Sequence, residues 1–148
     1  MTQPTDIRRE AQTPLRALTI RQPWADAIVH GAKRVENRTW AAPAKHHGSR
    51  VLLHAAAGCD RTVLVLPDGS LPAPEPMWTR GALMAVATLT GCHQAAGDCC
   101  VPWGEPGVWH WQFTDVRPLP EPIPCKGALG LWAVAPELQR TLSGEASA

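Results

Sequence analysis

The chain has 148 residues, enough for one domain whose core needs no disulfide staples. A hydrophobic share of 45% and a charged share of 18% exclude a wholly disordered chain, and no apolar run approaches the roughly 20 residues that cross a bilayer. The net charge of +1 is uneven, with nine Lys/Arg against four Asp/Glu in residues 1–50 and five against nine in residues 51–148, and favours a local anionic ligand over wholesale coating of DNA.

Residues 1–14 (MTQPTDIRREAQTP) are polar, lack the apolar centre of a signal peptide and read as a disordered leader. Five cysteines, an odd number, fit a reducing compartment better than a disulfide framework, so a cytoplasmic protein with no membrane association is expected. Residues 17–21 (ALTIR) read as a strand. Pro23 suits the first position of a helix, and Trp24, Ala27 and Ile28 fall at helical spacing before a stop at Gly31, which gives about two turns.

Residues 33–40 (KRVENRTW) resume an extended run. Strand alternation places Arg34, Glu36, Arg38 and Trp40 on one face and Lys33, Val35, Asn37 and Thr39 on the other. Neither face is cleanly apolar. Such a strand either lines a polar cleft, with Glu36 fixing the Arg38 fork, or is an edge strand charged against aggregation; composition leaves the two readings level.

Residues 50–55 (RVLLHA) form a short apolar strand. TVLVL at 62–66 fits strand or helix, and PDGSLPAPEP at 67–76 is a Pro-rich loop. Residues 81–90 (GALMAVATLT) read as a buried strand, followed by a second loop. Residues 108–116 (VWHWQFTDV) alternate, with Trp109, Trp111 and Phe113 on one face and His110, Gln112 and Thr114 on the other; the aromatic stripe reads as core. RPLPEPIPCKG is extended and proline-stiffened, and residues 128–134 (ALGLWAV) form a last strand. The domain is thus expected over 15–135, with 136–148 as a C-terminal tail that frays at GEASA. About six strands with few, short helices make an α+β chain whose small sheet is curved or closed.

The ordered residues LTIRQPWADAIVHGAKRVENRTW carry a Gly-x-Lys-x-x-Glu hallmark at Gly31, Lys33 and Glu36. With its flanks, the segment resembles the start of the ASCH (activating signal cointegrator homology) domain of the PUA-like superfamily. GSRVLLHAA, GALMAVATLT and VWHWQFTDVRPLPEPIPCKGALGLWAV resemble its later strands. The resemblance covers roughly residues 15–135 and implies a β-barrel flanked by short helices, with the hallmark lining a cleft. Related domains bind RNA or DNA, some bacterial members cleave RNA, and a small subgroup hydrolyses amide-acylated cytidine. Fold alone does not choose among these.

The hydrolase subgroup resembles this chain at Lys33 and Arg38, but has Thr where this chain has Glu36. Its further catalytic Glu has no good counterpart, since Glu105 in WGEPG sits in a loop of different character. A binding module needs less. Arg21, Lys33 and Arg38 would meet phosphate, Gln22 and Asn37 would suit a base edge, Trp24 and Trp40 would stack, and Glu36 would orient Lys33 or Arg38 or accept from a base amino group. The expectation is therefore a nucleic-acid-binding monomer that prefers single-stranded RNA to DNA, with a nucleotide-like ligand as the wider class and no cofactor. If the chain is instead a metal-independent ribonuclease or a modified-nucleoside amidohydrolase, Lys33, Glu36, His54 and His110 are the catalytic candidates. A third reading is a protein-interaction module using the Pro-rich segments at 67–76 and 117–124. Cys92, His93, Cys99 and Cys100 offer zinc-type ligands, but their paired adjacency and the lack of a CxxC favour buried thiols over a metal site.

Overall fold

The computed structural model describes residues 15–146, so the leader expected at 1–14 lies outside the described residues. The described residues form six strands: β1 (Arg16–Gln22), β2 (Val35–Arg38), β3 (Ser49–Cys59), β4 (Ala82–Gln94), β5 (Trp109–Pro124) and β6 (Leu131–Ala133). They form one mixed sheet in the order β2-β5-β4-β3-β1-β6. All pairs are antiparallel except β1 with β3. That parallel pair requires a crossover, and the intervening chain supplies helix α1 (Trp24–Val29) followed by β2.

The apolar residues on both faces of β1 and β3 are explained by burial on both faces of the sheet. Leu18, Ile20, Val51 and Leu53 point into a large cluster with Leu89, Trp111 and Phe113, which α1 covers with Ala25, Ile28 and Val29. The alternate residues Ala17 and Leu52 point into a second cluster with Leu83, Val134 and Leu142. Leu142 belongs to helix α2 (Pro136–Ala146), so residues set aside as a tail from sequence cover the second face. No helix among the described residues is long and apolar enough to cross a membrane.

The α+β class and the strand count match expectation, but the β-barrel does not close. The ladder ends at β2 and β6, short strands of four and three residues that do not pair with each other. The sheet nevertheless curls far round. Arg38 in β2 donates from Nη2 to the Thr19 carbonyl of β1 at 2.6 Å, although three strands separate β2 from β1 in the ladder. A side chain bridges the gap that a backbone ladder would close in a barrel.

Two strands run longer than their sequence patterns. β4 continues through Gly91, Cys92 and His93, which pair with Gln112, Trp111 and His110. β5 takes in the Pro-rich segment 117–124. Its pairing with β2 stops at Gln112, so beyond that point one edge carries no ladder and tolerates proline. By contrast, 62–66 is neither strand nor helix; Leu64 and Val65 are exposed and only Leu66 is buried.

The turn after α1 shows why the hallmark begins with glycine. Lys33 N–H donates to the Ala27 carbonyl at 3.0 Å, and a Cβ on Gly31 would lie 2.7 Å from that same oxygen. The chain doubles back over the helix end too closely for any side chain. Gly31→Ala is therefore expected to cost about 1–3 kcal/mol through overpacking against backbone. Urea denaturation checks this, and an unchanged midpoint would contradict the close approach.

Candidate functional site

Immediately after this turn the chain places a cation where strand alternation does not predict one. Lys33 precedes β2 and is only 2% exposed. Its Nζ donates to Glu36 Oε1 at 3.0 Å and lies 5.5 Å from the centroid of the Trp24 ring. Glu36 accepts twice more, from the Asn37 backbone N–H at 3.2 Å and, on Oε2, from Arg38 Nη2 at 3.2 Å. One carboxylate thus neutralises two cations from both sides. The Glu36–Arg38 pairing follows from their shared strand face; the Lys33–Glu36 pairing does not, because Lys33 approaches from the turn.

A cleft of about 180 Å³ opens over this ion pair. Its floor is Lys33, Glu36 and Asn37, and Trp24 and Pro67 form one part of its wall. The rest comes from Pro102, Trp103 and Glu105, in the loop between β4 and β5. Asn37 fastens that loop: its Nδ2 donates to the Trp103 carbonyl at 3.0 Å, and its Oδ1 accepts from the Glu105 N–H at 2.9 Å. Sequence reasoning does not pick out Trp103 or Glu105 as cleft residues, since nothing local shows the loop folding back over β2.

The remaining expected site residues lie elsewhere. Gln22 is wholly buried, with its Oε1 accepting from the Asp26 N–H and its Nε2 donating to Asp26 Oδ1 and the Thr79 carbonyl, each at 2.9 Å. It ties the start of α1 to a loop and has no free base-reading edge. Asn37 likewise has both ends of its amide engaged. Arg21 is exposed and donates to the Cys59 carbonyl at 2.8 Å. Trp40 packs edge-on against Trp111, with ring centroids 4.7 Å apart, and does not line the cleft.

Neither histidine faces the cleft. His54 is buried on the other side of the sheet, with Nδ1 at 3.2 Å from Thr19 Oγ1 and Nε2 at 2.8 Å from the Cys125 carbonyl. His110 is buried beneath the β4–β5 loop, with Nε2 at 2.7 Å from the Glu105 carbonyl and Nδ1 at 3.5 Å from Cys99 Sγ. Of the four catalytic candidates, only Lys33 and Glu36 come together.

The metal-ligand set also differs from the sequence grouping. Cys92 faces the core, where its Sγ accepts from the Ala42 N–H at 3.4 Å. His110 takes its place beside His93, Cys99 and Cys100, and the four ligand atoms lie within 4.8 Å of one another. Burial, with Cys99 beside it, pushes the Cys100 thiol up from its ordinary value.

The fold and the hallmark together define an ASCH-type domain. Residues 18–104 match the ASCH domain family, and the chain belongs to that family, whose domains in general bind nucleic acid. Two crystal structures of the ASCH protein of Zymomonas mobilis share the fold. The wild type aligns over 88% of this chain and 94% of its own at 16% identity and a TM-score of 0.53. A point mutant of it aligns over 88% and 95%, at 16% identity and a TM-score of 0.52. No curated protein matches the chain.

The ion triad is asymmetric, with Lys33 and Glu36 buried and Arg38 half-buried. Glu36→Gln strands two cations, whereas Lys33→Met leaves Glu36 still paired with Arg38. Glu36→Gln is expected to cost about 3–5 kcal/mol, the usual loss when one partner of a buried pair is removed, and Lys33→Met distinctly less. Equal or reversed urea midpoints would contradict this charge arrangement.

Proposed function

We propose that the domain binds single-stranded RNA by taking one unstacked base into the cleft over Lys33 and Glu36. One observation carries the reading: two tryptophans, Trp24 and Trp103, line the same small cleft as a buried ion pair. A pocket of about 180 Å³ is smaller than the ~300–1,000 Å³ typical of drug-sized ligands, and it suits a single planar ring system. Reaching it requires a base splayed out of its stack, which single strands supply and duplexes resist.

The polar groups of the floor and rim suit a base better than a phosphate. Lys33 and Arg38 direct their charge at Glu36, and the cleft adds a second carboxylate at Glu105. Lys33 Nζ retains two N–H donors for a base carbonyl, and the carboxylates accept from an exocyclic amino group. Phosphate contacts then fall to cations outside the cleft, of which Arg21 is exposed. With both candidate histidines turned away, the cleft holds no imidazole to take a 2′-hydroxyl proton, so binding without turnover is the reading the geometry favours.

Fluorescence anisotropy with labelled single-stranded RNA tests this. Trp103→Ala is expected to weaken binding about 5- to 150-fold, the range set by ~1–3 kcal/mol per stacked base. The slope of affinity against salt should stay the same, because an indole neutralises no phosphate. Unchanged affinity in Trp103→Ala would remove the cleft from the interface. Short RNA fragments on a denaturing gel, lost in Lys33→Ala, would make the protein a nuclease instead.

A further inference from the structure

We propose that His93, Cys99, Cys100 and His110 form a structural zinc site that pins the β4–β5 loop. The four groups come from three places. His93 and His110 are cross-strand partners at the root of the hairpin, and the two cysteines sit in the loop of residues 95–108. A tetrahedral zinc with Zn–S of about 2.3 Å and Zn–N of about 2.0–2.1 Å has S···N edges of about 3.6 Å. Cys100 Sγ lies 3.4 Å from His93 Nε2, and Cys99 Sγ lies 3.5 Å from His110 Nδ1. All four ligand atoms fall within 4.8 Å of one another, which is the convergence a single ion requires.

The surroundings match those of metal ligands. His110 Nε2 lies 2.7 Å from the Glu105 carbonyl, which fixes the proton there and presents the Nδ1 lone pair to the cluster. Cys99 Sγ accepts from the Ala96 N–H at 3.2 Å, a contact that suits a thiolate. A Cβ on Gly104 would sit 2.6 Å from His110 Cε1 and 2.8 Å from the Cys100 Cβ, so the loop closes tightly on two of the four ligands.

The structure also removes the objection of adjacency. Strand alternation sends Cys92 into the core and His93 to the opposite face, so that pair never competes for one ion. Cys100 has φ of +63°, a left-handed conformation unusual for a residue with a side chain. That kink turns two consecutive cysteines toward the same point. Strained backbone of this kind persists where something over-determines it, which an ion held by both cysteines would do.

Two thiolates and two imidazoles favour zinc among the available divalent ions. With four protein ligands and no open position, the site is structural. Two thiolates neutralise the dication, which suits a partly buried location. The ion would hold a loop of 14 residues with no regular secondary structure, longer than an unassisted hairpin ordinarily carries. That loop supplies Pro102, Trp103 and Glu105 to the cleft wall, but the metal site stands on its own geometry and does not rest on the RNA reading.

The test is cobalt substitution of the chelator-treated protein, with zinc stoichiometry and X-ray absorption on the zinc-loaded form. We expect one ion per chain, the intense d–d bands and sulfur-to-cobalt charge transfer of a tetrahedral S2N2 site, and two sulfur and two nitrogen neighbours around zinc. Cys99→Ser and His93→Ala should lose stoichiometric binding, whereas Cys92→Ser and Cys125→Ser should keep it. Hydrogen exchange within 95–108 should rise when zinc is removed, with β1 unaffected. Absence of stoichiometric binding, a cobalt spectrum without sulfur charge transfer, or retention in His93→Ala would each overturn the proposal. The wild-type spectra decide the matter even where a ligand variant fails to fold.

Discussion

The Glu36 carboxylate is the group on which the rest of this structure depends. It accepts from Lys33, from Arg38 and from the Asn37 backbone, and so gathers two cations and a strand into one node. Arg38 extends from that node to the Thr19 carbonyl and ties the β2 end of the sheet to β1. The curl of an unclosed sheet is held by this bridge, and the cleft lies over its inner end. Desolvating Lys33 and Glu36 is costly, and their mutual neutralisation, with half-buried Arg38 beside them, makes it tolerable. The same neutralisation leaves the floor polar without being strongly basic, which bears on what the cleft accepts.

Much of the frame was legible in residue order. Gly31, Lys33 and Glu36, behind a Pro-started helix and before an irregularly charged strand, marked the site segment, and Gly31 has a direct steric reason. The apolar residues of 17–21 and 50–55 marked two strands, although not that both of their faces are buried. The Trp109–Trp111–Phe113 stripe foretold a core face. Alternation also paired Glu36 with Arg38. It missed Lys33, because period-two reasoning holds only inside a strand and Lys33 stands in the turn before it. Gln22 looked like a base reader, since an amide beside a cleft motif carries no sign that both its ends are spent on a helix start.

The larger misses share one cause, which is register. Sequence shows that His93 and His110 exist, but only the β4–β5 pairing shows that they are neighbours 17 positions apart in the chain. The same pairing brings the 95–108 loop back over β2, where Asn37 holds it and Trp103 reaches the cleft. A hairpin drawn as two short strands and a polar loop hides both the ligand cluster and half of the cleft wall. The sheet stays open where the sequence resemblance implies a barrel. A curved sheet and a closed one have the same strand pattern, and closure turns on whether the two edge strands come within hydrogen-bonding distance, which the pattern does not show.

The central claim is that the cleft over Lys33 and Glu36 is where RNA touches this domain. The seven tryptophans make that directly measurable, because each indole N–H gives its own nitrogen-correlated NMR signal. Titration with single-stranded RNA should move the indole signals of Trp24 and Trp103 and leave that of Trp132, which donates to Thr19 Oγ1 away from the cleft, in place. Shifts that spare Trp24 and Trp103 while moving other tryptophans would contradict the account.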